Sequence, residues 1–225
     1  MVGLIVTIDG PAGAGKSTAA RLLAERLGFT FLDTGAMYRA IALAALQAGL
    51  APDDHASLAA LANQVRLDLC GDRVYLDGAD VTRDLRTSAV TQMARRVADS
   101  PGVRHKLVEL QRAFAQGKNI VTEGRDQGTI VFPQADCKFF LTADPTIRAR
   151  RRWAELQLRG EEVSFEQVLQ ALHERDAADR VRSLAPLRPA ADAIVVDTSH
   201  LSIMDVVDRL ERLARERLKL SARSS

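Results

Sequence analysis

Residues Gly10-Pro11-Ala12-Gly13-Ala14-Gly15-Lys16-Ser17 form a glycine, four residues and Gly-Lys-Ser, and they follow directly on the apolar run Gly3-Leu4-Ile5-Val6-Thr7-Ile8-Asp9. Glycines in such a loop let successive backbone N–H groups point inward as a nest for phosphate oxygens. A lysine at the position of Lys16 reaches the β- and γ-phosphates of a nucleotide, and the hydroxyl of Ser17 can ligate Mg²⁺. The residues after the loop, Ser17 to Leu27, are apolar at Ala19, Ala20, Leu22, Leu23 and Leu27 and stop at Gly28, which is a helix with its closing glycine. That helix turns its positive N-terminal end toward the same phosphates. Strand, phosphate loop and helix in this order commit the chain to an α/β fold. The candidate nucleotide-binding residues are Gly10, Pro11, Ala12, Gly13, Ala14, Gly15, Lys16, Ser17 and Thr18.

The rest of the chain continues the α/β reading and interrupts it once. Phe29 to Asp33 is a short apolar strand that runs into an Ala/Leu-rich helix ending near Gly49, and a further helix is predicted over residues 55–64. Residues 65–69 and 73–77 alternate apolar and polar around Cys70-Gly71-Asp72, and Gly78-Ala79-Asp80 reads as a second turn before Val81-Thr82. This predicts a small antiparallel sheet inserted in the α/β chain. Thr87 to Ala98 and Pro101 to Gln116 read as helices, the second with proline in its first turn. Asn119 to Thr122, Cys137 to Leu141 and Ala193 to Asp197 are continuous apolar strands, as expected of a parallel sheet covered on both faces. The last helix, Ser202 to about Leu218, places Ile203, Val206, Val207, Leu210 and Leu213 on one face.

Composition narrows the class. The chain has 225 residues, a net charge of +2 and two cysteines, Cys70 and Cys137, in no metal-binding or disulfide pattern. So small a charge gives no case for a nucleic-acid partner. With no apolar run of membrane-spanning length and a first strand at the N-terminus, a cytoplasmic protein without membrane association is expected. Of the 31 basic residues, 26 are arginine, whose planar forks suit oxyanions at close quarters. No Asn-Lys-x-Asp string of a GTPase occurs, and no strand ends in the paired acids of motor and transporter ATPases. Glu123-Gly124-Arg125-Asp126 follows a buried strand and so lies at the carboxyl edge of the sheet, where α/β proteins bind ligands. Arg175, Asp179 and Arg182 are spaced to share one helix face. These features leave open a small-molecule kinase of unspecified acceptor and a non-catalytic nucleotide-binding regulator.

Along nearly its whole length the chain resembles the bacterial cytidylate kinases. The resemblance rests on residues 8–17, on Leu32-Asp33-Thr34-Gly35-Ala36-Met37-Tyr38-Arg39, on Glu123 to Asp126 with residues 128–133, and on Ala185-Pro186-Leu187. It implies a P-loop NTPase fold with a five-stranded parallel sheet flanked by helices: a core of residues 1–36 and 117–225, a monophosphate-binding subdomain of about 37–116 with its sheet at about 65–82, and a short lid of about 148–182. It also implies transfer of the γ-phosphoryl group of Mg-ATP to CMP or dCMP, in pyrimidine nucleotide metabolism, by a protein expected to be a monomer. Carried over by position, Thr34, Tyr38 and Arg39 hold the acceptor, Arg104 and Asp126 read the cytosine edge, and Arg125, Arg175, Asp179 and Arg182 contact its phosphate and sugar. Lys16, Arg125, Arg175 and Arg182 are then the catalytic cations. One of Arg148, Arg150, Arg151 and Arg152 is expected to touch ATP, with the cluster as a whole partly solvated. The chain departs from the family pattern at Gln127, where an apolar residue is usual, at Ala178 in place of an arginine, and at Arg95 in place of a serine that helps bind cytosine; Arg95 is expected to face solvent.

Overall fold

The computed structural model describes residues 3–181 and 184–220. In chain order its main elements are β1 (Ile5–Asp9), α1 (Lys16–Leu27), β2 (Thr30–Asp33), α2 (Thr34–Gln47), α3 (His55–Gln64), β3 (Leu67–Cys70), β4 (Arg73–Leu76), β5 (Ala79–Asp80), α4 (Ser88–Val97), α5 (Pro101–Ala115), β6 (Ile120–Gly124), β7 (Cys137–Thr142), α6 (Pro145–Leu158), α7 (Phe165–Val181), β8 (Ile194–Asp197) and α8 (Ile203–Leu218). Two compact units emerge. One comprises the described residues up to Phe31 and from Gly117 onward, the other Leu32–Gln116.

The larger sheet has the order β2-β6-β1-β7-β8. β1 runs parallel to both neighbours, with Asp9 level with Gly124 on one side and with Phe140 on the other. Val6, Thr7 and Ile8 have no exposure, because helices cover both faces of this central strand. α1 and α8 close one face: Ala19, Ala20, Leu23 and Ala24 pack in one cluster with Val206, Val207, Leu210 and Ala214. Each fully buried Val or Leu here contributes roughly 1.5–3 kcal/mol. The apolar face of α8 is turned slightly from the expected one. Ile203 is 38% exposed, and Ala214 takes a buried place. Ile203 is the first helical residue, beside a Ser202/Asp205 capping box, so its side chain lies at the rim of the packed surface.

The second unit packs α2 against the small sheet β3-β4-β5 through Ala36, Ala40, Ala44, Val74, Leu76 and Val81. The hairpin is as expected, with Leu67 opposite Leu76 and Leu69 opposite Val74. The second turn comes earlier than its sequence signal, since Ala79 and Asp80 belong to β5. Asp77 and Gly78 carry positive φ angles of 50° and 85° instead, which matches a tight primed turn. On α4 the buried face is Val90, Met93 and Val97, and Arg95 is exposed as expected. No helix among the described residues is long and apolar enough to cross a membrane.

Candidate active site

The phosphate loop occupies the turn between β1 and α1, at the carboxyl edge of the sheet. Its shape needs glycine at two places for steric reasons. A Cβ on Gly10 (φ 145°) would lie 2.1 Å from the carbonyl oxygen of Leu141, and one on Gly13 (φ 76°) would lie 2.9 Å from both Cβ and the carbonyl oxygen of Arg148. The loop carbonyls are paired. Pro11 accepts from Nζ of Lys16 (2.9 Å), Ala12 from Nη1 of Arg148 (3.1 Å) and Ala14 from Oγ1 of Thr198 (3.3 Å). Burial and the neighbouring Arg125 cation lower the Lys16 ammonium to about 7, although Glu123 and Asp9 pull the other way.

Two acids that sequence reasoning left without a role stand beside the loop. Glu123 on β6 is 7% exposed, and its Oε1 accepts the Ser17 hydroxyl at 3.0 Å. A hydroxyl and a carboxylate so placed are the hard oxygen donors that Mg²⁺ takes when phosphates supply the rest of its shell. Asp9, at the end of β1, accepts the N–H groups of Gln127 (2.9 Å) and Gly128 (2.7 Å). Burial pushes its carboxyl up to about 6, so above that pH it serves as an ionised clasp on the loop that carries Arg125 and Asp126. The available signal was the same for both: an acid at the end of an otherwise apolar strand. Downstream, residues 127–131 form one wide turn with bonds five residues back, Val131 to Asp126 (3.2 Å) and Phe132 to Gln127 (2.7 Å). Gln127 is 1% exposed and its Oε1 accepts from the Thr122 hydroxyl at 3.0 Å, so the polar side chain in an apolar position is satisfied by a partner on β6.

Arginines gather around this edge. Nε of Arg125 donates to Asp179 on α7 at 3.0 Å, and Arg175 lies 3.9 Å from the same carboxylate oxygen. Asp126 is 6% exposed. Arg182 lies outside the described residues. The arginine cluster on α6 is partly solvated as expected, with Arg150 exposed and Arg151 and Arg152 half-buried, and Arg148 is its one buried member. Arg148 is 3% exposed and makes three hydrogen bonds, one to Oδ2 of Asp176 at 2.6 Å. The reason is position: it sits in the first turn of α6, packed against Gly13. Arg151 donates to Thr198 Oγ1 (3.0 Å) and to its carbonyl (2.6 Å), while Arg150 is exposed. Arg150 lines a cleft of about 650 Å³ at the ends of β7 and β8, with Thr142, Asp144, Ile147, Asp197 and His200.

In the second unit, Asp33 caps α2 by accepting the Ala36 N–H at 2.8 Å, and in the first turns Thr34 is buried and Tyr38 half-buried. The Arg39 guanidinium rests 3.4 Å from both Asp33 oxygens, and its Nε has no hydrogen-bond partner among the described residues. Gly35 leaves that guanidinium its space, since a Cβ there would lie 3.0 Å from Nη1 of Arg39. Arg104, on α5, is 9% exposed. Among the described residues no group of three His, Cys, Asp or Glu side chains is placed to hold a metal ion.

Comparison with known proteins follows the same lines. The crystal structure of an uncharacterized protein from Eubacterium ventriosum ATCC 27560 matches with a TM-score of 0.51 at 12% identity, over 98% of this chain and 99% of that one, which is a likeness of fold. The cytidylate kinase of Rhodopirellula baltica is 50% identical over 222 residues, covering 99% of this chain and 97% of the relative. That of Geobacter sulfurreducens is 48% identical over 219 residues, covering 96% and 94%. The family model described as cytidylate kinase matches residues 6–216. A match that starts in β1 and ends in α8 takes in the phosphate loop, the arginine-bearing edge and the inserted unit alike, and the chain belongs to the cytidylate kinase family.

Proposed function

We propose that this protein transfers the γ-phosphoryl group of Mg-ATP to CMP or dCMP, giving ADP and the corresponding diphosphate for pyrimidine nucleotide metabolism. The observation that carries this reading is the pairing of a complete phosphate loop with Arg125, Asp126, Arg175 and Asp179 at one sheet edge, in a chain of this family. The donor's phosphates rest on the N–H groups of residues 12–18, and its base takes the cleft lined by Arg150 and His200. Ser17 and Glu123 would hold Mg²⁺, which would supply neutralising charge for the phosphate oxygens when bound. Thr34, Tyr38, Arg39 and Arg104 bind the acceptor, and Asp126 accepts a hydrogen bond from the exocyclic amine of cytosine. The acceptor phosphate is already anionic, so the chain needs no strong base. It positions two anions and spreads positive charge from Lys16, Arg125, Arg175 and Arg182 over the transferring group. The hairpin of α6 and α7, with its arginines, serves as the lid that excludes water.

The test is ADP production from Mg-ATP with CMP, dCMP, UMP, AMP or no acceptor. Turnover with CMP and dCMP, at least roughly a hundredfold above UMP in kcat/KM, is expected. Equal turnover on AMP or UMP discards the base-reading role of Asp126, and absence of turnover with every acceptor favours the regulator or another acceptor.

A pH dependence follows from Lys16. Without nucleotide its ammonium titrates at about 7, and triphosphate charge beside it raises that value in the complex. Well below pH 7 the proton is already present and binding takes up little at this group. Above pH 7 the free lysine is neutral and the bound one charged, so ATP affinity falls with rising pH, by up to about tenfold per unit. Calorimetry at pH 8 in two buffers of different ionisation enthalpy should report uptake of roughly 0.5–1 proton per ATP, and far less at pH 6. Identical heats in the two buffers at pH 8 contradict this.

A further inference from the structure

A phosphate nest works only if its N–H groups point inward. Because the peptide unit is planar and trans, each inward N–H carries the preceding carbonyl outward, and an outward carbonyl partly withdrawn from water is fixed in direction by a donor of its own. At Ala12 that donor is Arg148. The same guanidinium donates through Nε to the carbonyl of Ala143 at 3.0 Å, just before α6, and through Nη2 to Asp176 on α7 at 2.6 Å. Arg148 and Asp176 are 3% and 5% exposed, and α6 touches the loop at Gly13. Asp176 adjoins Arg175 in sequence and sits one turn from Asp179, which holds Arg125. The other basic side chains at this edge have different partners: Lys16 donates to the carbonyl of Pro11, and Arg151 braces Thr198, which in turn holds the carbonyl of Ala14. We infer that Arg148 is a positioning residue that sets the inward aim of the Gly13 N–H and, through Asp176, the placement of Arg175 and Asp179 on α7. It ties the donor-phosphate nest to the arginine-bearing helix without touching substrate. This inference rests on the phosphoryl-transfer reading, and it removes Arg148 from the arginines available to contact ATP.

The difficulty in testing it is that a buried ion pair broken on one side leaves an uncompensated charge and destabilises any protein. Three variants separate the two effects: Arg148→Met, Asp176→Asn, and the double variant Arg148→Met with Asp176→Leu. The double variant removes both charges and should melt closer to the wild type than Arg148→Met does. If Arg148 positions the nest, the double variant still shows KM for ATP raised roughly tenfold and kcat lowered roughly 10- to 100-fold. Asp176→Asn, which keeps the bond to Ala12, should lower kcat with KM for ATP within about threefold of the wild type. Recovery of both constants in the double variant together with recovery of melting temperature overturns the inference, and so does an Asp176→Asn variant that loses ATP binding as fully as the double one. ATP binding by calorimetry without acceptor is measured on the same proteins. A wild type that binds ATP but leaves CMP unphosphorylated rejects the acceptor assignment while still testing Arg148, and a wild type that does not bind ATP rejects both.

Discussion

Lys16→Met is expected to lower kcat by roughly 10³-fold, the usual effect of removing one preorganised cation from a phosphoryl-transfer site. The physical case lies in how Lys16 is held. It is 6% exposed, it donates to the carbonyl of Pro11 inside its own loop, and it is surrounded by Arg125, Arg175, Glu123 and Asp9. An amine held in place before the substrate arrives, and charged once ATP is bound, needs little reorganisation when charge builds on the equatorial oxygens, and in a low-dielectric site it acts with little screening. KM for the acceptor should move less than about threefold, because Lys16 serves the transferring group. The proton uptake at pH 8 should disappear in the same variant. Steady-state ADP production and calorimetry read both. A variant that retains more than a tenth of wild-type kcat would falsify the assignment, and a protein whose cellular output survives the loss is a regulator and not a kinase.

Asp126→Asn is expected to collapse base selectivity, reducing the CMP-to-UMP ratio of kcat/KM by roughly 10²- to 10⁴-fold. A carboxylate accepts from the cytosine amine, but against uracil it meets a carbonyl oxygen and is left facing another acceptor. An amide can turn its NH₂ toward that oxygen, so the variant should gain on UMP as well as lose on CMP. The backbone around the residue is secured independently. The carbonyl of Asp126 accepts from Ile130 and Val131, and Asp9 clasps the N–H groups of Gln127 and Gly128. The variant's melting temperature should therefore stay close to that of the wild type while the substrate ratio changes. Parallel losses on CMP and UMP, with the ratio kept, would show that Asp126 supports the loop and does not read the base.

Much of this architecture was legible because its signals are local. The phosphate loop announces itself through glycines that only a tight turn between strand and helix requires, and Pro101 marks the first turn of α5. The β3–β4 hairpin follows from alternation around Gly71. The boundary at β5 was read late because Asp77, a non-glycine residue at positive φ, shares the turn with Gly78. Period alone also misplaced one edge of α8, since it does not show that Ile203, the first helical residue, lies at the rim while Ala214 is buried.

What the amino-acid sequence determined by itself is the order of strands and helices and the chemistry of the residues it places at strand ends: glycines, Lys16, Ser17, Arg125 and Asp126. Tertiary structure decided which of the remaining charged groups serve those residues. Asp9 meets Gln127 and Gly128 across 118 and 119 positions, Ser17 meets Glu123 across 106, and Arg148 meets Ala12 across 136. The four arginines among residues 148–152 look alike in sequence, because a solvated guanidinium carries the same charge as a buried one. Packing against Gly13, Ala143 and Asp176 buries Arg148, and a buried guanidinium must find its partners within the protein.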